Sequence, residues 1–399
     1  MRAMQQICKC WLLCIILCEA QGARAAVTNS FVLDWGNRFT QAGTHYTICA
    51  AAPASNQCVI LAGSSVDSQT ATNCELFLWK MAADGKVTTR LRLNLPDQPR
   101  SLDHLVRRYV RDVLEIKGGE TLLITEIVEG SPAIVRLSAV GDVVTNVPIP
   151  ALVGLPPEIL ASRLISTTDG NFVILGHFKR NAILLKIDSN GALLWQRMLE
   201  GPGRQFFMDA VPTKRGGFIA VANSGNYDKF GFGTSEVWIL AYDADGKEKQ
   251  EVKFAGRQGS ICHREDGSVA VVFDKGMVTG QDIWMQSLDA DLKSLWTKAV
   301  VSVKRGLPSP FKVVSAPGGG FIVAGLRDFT VWISKRDKNG EEIWSHTENG
   351  PPSSWYLSTL IRMDKEYIVL YSTRSVGGEP ELYQIGALGF HEGEAHTGK

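Results

Sequence analysis

Arginines recur at one kind of place in this chain. Arg38, Arg100, Arg204, Arg257 and Arg305 each follow an apolar run that reads as a strand, and Gly203-Arg204-Gln205 and Gly256-Arg257-Gln258 are the same tripeptide. A guanidinium is a planar fork of N–H donors that grips carboxylate or phosphate two bonds at a time. Five converging on one point would form a cationic collar for an anionic ligand: an acidic glycan, a phosphorylated headgroup or an acidic patch on a partner protein. The alternative is five unrelated solvated side chains, since the chain holds 22 arginines. A second candidate is the glycine-rich stretch 223–236, whose Tyr227, Phe230 and Phe232 could form an aromatic flap over a ligand or belong to an ordinary surface loop.

Other chemistries find less support. Asp188-Ser189-Asn190-Gly191, Asp243-Ala244-Asp245-Gly246 and Asp337-Lys338-Asn339-Gly340 resemble the start of a calcium loop, but each runs into a strand before six oxygen ligands could gather. They read as hairpin turns in which glycine supplies the positive φ. Seven histidines show no metal-binding spacing with one another or with cysteine, so no metal is expected. Nucleophile-elbow, zincin and phosphate-loop motifs are absent. Trp35, Trp195, Trp296 and Trp344 could stack on sugars, yet their matching places argue for packing between repeats. These signs favour a binding or interaction module over an enzyme. The runner-up is a glycan-acting hydrolase or lyase whose groups converge from distant repeats.

The elements that carry these residues repeat. Seven apolar cores, CVILAG (58–63), TLLITE (121–126), FVILGH (172–177), FIAVAN (218–223), VAVVFD (269–274), FIVAGL (321–326) and YIVLYS (367–372), mostly follow a glycine-bearing turn. Each is followed by a second strand-like run, often a D-x-[DN]-G turn, and a third run that often carries the tryptophan. A preceding strand also recurs, as in 162–167, 206–212, 259–264 and 311–316. Four short strands in about 50 residues form one meander, and a series of meanders makes a β-propeller. The expected fold is therefore all-β: a seven-bladed β-propeller of four-stranded antiparallel blades, with six or eight blades as alternatives because the boundaries near 94–120 are soft. The seventh unit lacks a fourth strand, and Ser30–Trp35 reads as an orphan one. An N-terminal strand completing the last blade closes the ring, with Val32–Trp35 expected opposite 382–387.

In Gly319-Gly320-Phe321-Ile322-Val323-Ala324-Gly325, Asp337-Lys338-Asn339-Gly340 and Trp344, the chain resembles bacterial exported β-propeller repeats of the PQQ-type and related groups. The resemblance covers nearly the whole mature chain and implies fold rather than function. The regular A-x-D-x-x-T-G-x-x-x-W motif of quinoprotein dehydrogenases does not occur, so no cofactor is expected.

Residues 1–25 stand apart from the repeats. A basic start, the apolar run Trp11–Cys18 and Ala23-Arg24-Ala25 before Ala26 read as a secretory signal peptide, with a membrane-anchored N-terminus as the alternative. The expected organisation is signal peptide 1–25, one propeller domain 26–390 and a flexible tail 391–399, in a secreted or periplasmic monomer. No later apolar run is long enough to span a membrane. The leader carries three of the 42 basic and one of the 41 acidic residues, which leaves the mature chain at a net charge of −1. That balance gives no ground for a nucleic-acid partner. Of the four cysteines beyond the leader, Cys49 and Cys58 read as flanking a short turn in the first blade and are the expected disulfide.

Overall fold

The computed structural model describes residues 31–39, 44–67, 75–93, 110–126, 132–154, 159–201, 203–227, 233–275, 281–303, 312–327, 330–348, 354–364, 366–374 and 383–392. These form seven four-stranded antiparallel sheets, the blades of a β-propeller. Blade I spans 44–93, II 110–148, III 159–199, IV 204–255, V 257–303 and VI 312–348. Blade VII joins 354–392 to the N-terminal strand Phe31–Phe39. In blades I to VI, strands A to D follow chain order. The seven A strands touch one another in cyclic order around the axis, blade VII against blade I included.

The ring holds because adjacent blades pack face to face. Each of the seven interfaces has its own apolar cluster, such as Ala62, Leu78, Val113 and Leu123 between blades I and II. Strand alternation supplies the two apolar faces of each blade, and the seven core strands are buried almost throughout. The tryptophans serve this packing. Trp195 of blade III donates its indole N–H to the Ala244 carbonyl of blade IV at 3.2 Å, and Trp296 of blade V donates to Lys338 of blade VI at 3.2 Å. Each indole lies over the turn glycine of the next blade. A Cβ at Gly246 would stand 2.8 Å from Trp195, and one at Gly340 would stand 2.7 Å from Trp296. The D-x-[DN]-G turns are capped from within: the Asp188, Asp243 and Asp337 carboxylates each accept two backbone N–H groups of their own turn.

The N-terminal strand closes the ring as expected, but in a different register. Val32 lies opposite His391, Leu33 opposite Phe390 and Trp35 opposite Gly389, while Phe39 reaches Ile385. The C-terminal strand runs Tyr383–Glu392, so it passes the 390 boundary expected for the propeller by two residues. Asp34 Oδ1 and His391 Nδ1 join the two ends of the chain at 2.6 Å.

The disulfide expectation is corrected. Strand A of blade I continues to Ala54, which pairs with Cys58, while Cys49 sits in a bulge opposite the Ala62–Gly63 step. Five residues of strand separate Cys49 from Ala54, about 16 Å at strand rise, and no bond joins Cys49 to Cys58. Among the described residues, no helix is long and apolar enough to cross a membrane.

Candidate functional site

The central channel is lined by the seven A strands, and one level of it concentrates charge. Pairing with strand B defines that level. Ala50, Asp112, Arg163, Asp209, Ser260, Lys312 and Thr359 face Ala62, Ile124, Leu175, Val221, Val272, Ala324 and Leu370, which hold equivalent places in their blades. In six of these strands the residue at this level follows a bulge. One residue is squeezed out of register at Cys49, Arg111, Ser162, Met208 and Ser358, and one in blade V, where Gln258 and Gly259 together stand against Phe273. A bulge re-aims the side chains beside it. Here four ionic side chains meet at the axis.

Arg163 lies between two carboxylates. Its Nε donates to Asp209 Oδ1 at 3.1 Å, and its Nη1 stands 3.5 Å from Asp112 Oδ1. Lys312 Nζ reaches Asp209 Oδ2 at 3.2 Å, past the intervening blade. Both aspartates also bolt one blade to the next. Asp112 of blade II accepts the Leu164 N–H of blade III at 2.7 Å and its neighbour Val113 N–H at 3.0 Å. Asp209 of blade IV accepts the Ser260 hydroxyl of blade V at 2.8 Å, the Ile261 N–H at 3.4 Å and the Ala210 N–H at 3.1 Å. Buried carboxylates of this kind persist only when so partnered.

The two carboxyls titrate in opposite directions. For Asp112, burial dominates and pushes the pKa up, against the pull of Arg163 and the Leu164 and Val113 N–H groups. Burial also acts to raise Asp209, but Lys312, Arg163 and the Ser260 hydroxyl outweigh it and hold it at about 2. Lys312 is lowered, chiefly by burial. Arg163 is raised, chiefly by Asp112.

Beneath this ring lies a cavity of about 370 Å³. Its lining runs from the ionic level to the ends of the A strands, and includes Pro53, Ser166, Pro212, His263, Ser315 and Arg362. The cavity therefore points toward the A–B turns, the face opposite the D–A and B–C loops. Arg362 at its lower edge donates to the backbone carbonyls of Ser315 and Asp364 and to the Ser315 hydroxyl. Among the described residues, no group of three or more metal-ligating side chains is assembled.

The arginines expected to form a collar are distributed as follows. Arg100 and Arg305 lie outside the described residues, and Arg38 is in the N-terminal strand with its side chain undescribed. Arg204 opens strand A of blade IV and is exposed. Arg257 opens strand A of blade V, and its Nε is bonded to the buried Asp274 carboxylate at 2.7 Å. The matching tripeptides are not at matching heights. Arg204 pairs with Gly225, whereas Arg257 pairs with Asp274, the equivalent of Asn223, two rungs nearer the ionic level. Arg204 has neighbours of like charge: it and Arg111 both act, after burial, to lower the pKa of His177. Tyr227 ends strand B of blade IV opposite Gly233, on a hairpin longer than that of blade III. Phe230 and Phe232 lie outside the described residues.

The ionic ring was missed in the sequence because Asp112, Arg163, Asp209 and Lys312 resemble solvated residues in short strands. The available signal was a charge recurring in the innermost strands, among the apolar residues that pack blade on blade.

No family model matches the chain, and no curated protein matches it. Among solved structures, a Dyadobacter fermentans protein of unknown function aligns over 92% of this chain and 100% of its own, with TM-score 0.51 and 12% identity. A Synechocystis apocarotenoid oxygenase aligns over 90% of this chain and 94% of its own at TM-score 0.48 and 14% identity. The NanB sialidase of Streptococcus pneumoniae aligns over 91% of this chain and 71% of its own at TM-score 0.48 and 10% identity. At 12% identity, the likeness to the first is one of fold alone.

Proposed function

We propose that this chain is an exported, non-catalytic binding module that holds an anionic ligand at its loop face and along its channel. The supporting observation is an imbalance between donors and acceptors at the axis. The Asp112 and Asp209 carboxylates commit their oxygens to neighbouring blades and to Arg163 and Lys312, which leaves no uncommitted acid–base pair. Among the described residues, the cations keep unfilled donors and Arg204 stands exposed at the loop face with no ion pair. A hydrolase or lyase that works through paired carboxyls would need the opposite arrangement, a carboxyl free to move a proton. Export rests on the leader, whose Ala23-Arg24-Ala25 places the mature start at Ala26.

The test is binding of the exported protein to polygalacturonate across a salt series, repeated with Arg204→Ala. Exposed ionic contacts weaken as salt screens them, so binding should fall with ionic strength and fall further in the variant. Binding indifferent to both, or release of shortened chains from the polymer, would overturn the reading.

A further inference from the structure

The cavity beneath the ionic ring has a lining that selects for charge. All four ionic residues of the ring border it, but the carboxylates are covered and the cations are not: Asp112 and Asp209 are each 4% exposed, against 30% for Arg163 and 19% for Lys312. Among the described residues, Arg163 uses Nε and Nη1 on the two aspartates and makes no bond through Nη2, and Lys312 uses one of its three N–H donors. Arg163 Nη2 is not among the buried polar atoms left without a partner, so it is accessible, and the Lys312 side chain is partly exposed. The cavity is a space that both residues line.

Charge and size narrow the occupant further. The two aspartates balance Arg163 and Lys312, while Arg362 at the lower edge binds only carbonyl and hydroxyl oxygens among the described residues, which leaves a net positive lining. A void of about 370 Å³ lies near the small end of ligand pockets and fits a compact molecule rather than a polymer segment. No described residue preceding the ionic level in any A strand lines the cavity, so the ring is its roof and its entrance is among the A–B turns.

We infer that this cavity is a binding site for a small carboxylate- or phosphate-bearing anion, gripped by the open donors of Arg163 and Lys312 and entered from the A–B face. The inference rests on the anion-binding reading above but concerns a different part of the axis from Arg204. Such an anion would complete the donor valence of both cations. It would also relieve the burial that depresses the Lys312 ammonium.

The experiment is calorimetric titration of the full-length mature protein with succinate and, separately, inorganic phosphate, with uncharged succinamide alongside. Succinate or phosphate should bind and succinamide should not. Lys312→Met should weaken binding tenfold or more, Lys312→Arg should restore it to within a few-fold, and Lys117→Met, at an exposed turn of blade II, should leave it unchanged. Arg362→Gln is remote from the aspartates, so it tests the site without disturbing the ring, and it should weaken binding a few-fold. A thermal melt of each variant separates lost binding from lost fold. Polygalacturonate, which carries the same carboxylates on a chain, should gain nothing from the cavity and should bind Lys312→Met as it binds the parent. Absence of succinate and phosphate binding, while polygalacturonate still binds through Arg204, overturns the cavity site and leaves the broader reading intact. Loss of every anion overturns both. Anion binding that Lys312→Met and Arg362→Gln leave untouched in folded protein also overturns the site.

Discussion

Replacing Asp209 by asparagine tests whether the ionic ring holds the blades together. The substitution keeps the shape and removes the charge that pairs with Arg163 and Lys312. It also puts an N–H₂ where one carboxylate oxygen accepts hydrogen bonds. A carboxyl lowered from 3.8 to about 2 contributes about 2 kcal/mol of stability. Facing one new donor toward buried donors adds about 1 kcal/mol or more, so Asp209→Asn should lose about 3 kcal/mol in urea unfolding at pH 7. The pH dependence follows from the same shift. The folded pKa lies below the unfolded one, so the contribution is complete above the unfolded value of 3.8 and disappears as pH falls toward about 2. The gap between parent and variant should narrow below pH 4. A loss under about 1 kcal/mol, which is the scale of an exposed ion pair, or a gap that stays constant down to pH 2.5, would refute the claim that Asp209 works as a charged bolt between blades IV and V.

Three further outcomes are expected. Deleting residues 26–39 strips the outer strand from blade VII and exposes the edge of Tyr383–Glu392, so the truncated protein should aggregate or lose most of its cooperative melt; a parent-like melt would contradict closure by this strand. Non-reducing peptide mapping should find no fragment linked through Cys49 and Cys58, and iodoacetamide should label Cys58 in the native protein but reach Cys262, buried and pushed up to about 12 by that burial, only after unfolding. Leu292 holds φ 55° where the turns of blades III, IV and VI have glycine, yet it is 2% exposed. Leu292→Gly should therefore gain about 1 kcal/mol of strain relief and lose more through about 2–3 kcal/mol of burial, a net destabilisation in the same urea assay; stabilisation would show that strain outweighs packing there.

The blades were legible because each repeats a glycine turn, an apolar core and a second apolar strand, and closure was legible because the seventh unit lacked a fourth strand. Its register was not, since Gly386 and Gly389 leave the C-terminal strand with little apolar–polar alternation to fix pairing. Cys49 and Cys58 misled because Ala50–Ala54 has weak strand propensity and reads as part of a turn, although strand A runs through it. Gly-Arg-Gln misled for another reason. Arg204 stands five residues before Asp209 at the ionic level whereas Arg257 stands only three before Ser260, with one extra residue bulged out in each strand, so identical tripeptides start their strands at different heights. The cavity could not be read at all, because it depends on seven A strands meeting from across the chain.

The central claim is that the channel presents donors and withholds carboxylates, and an experimental structure of the protein crystallised with succinate tests it most directly. The account predicts a succinate carboxylate beneath the ring, within hydrogen-bond reach of Arg163 Nη2 and Lys312 Nζ, with Asp112 and Asp209 still bonded to the Leu164 and Ile261 N–H groups. Asp112 and Asp209 turned into the channel to face an occupant as an uncommitted pair would contradict it.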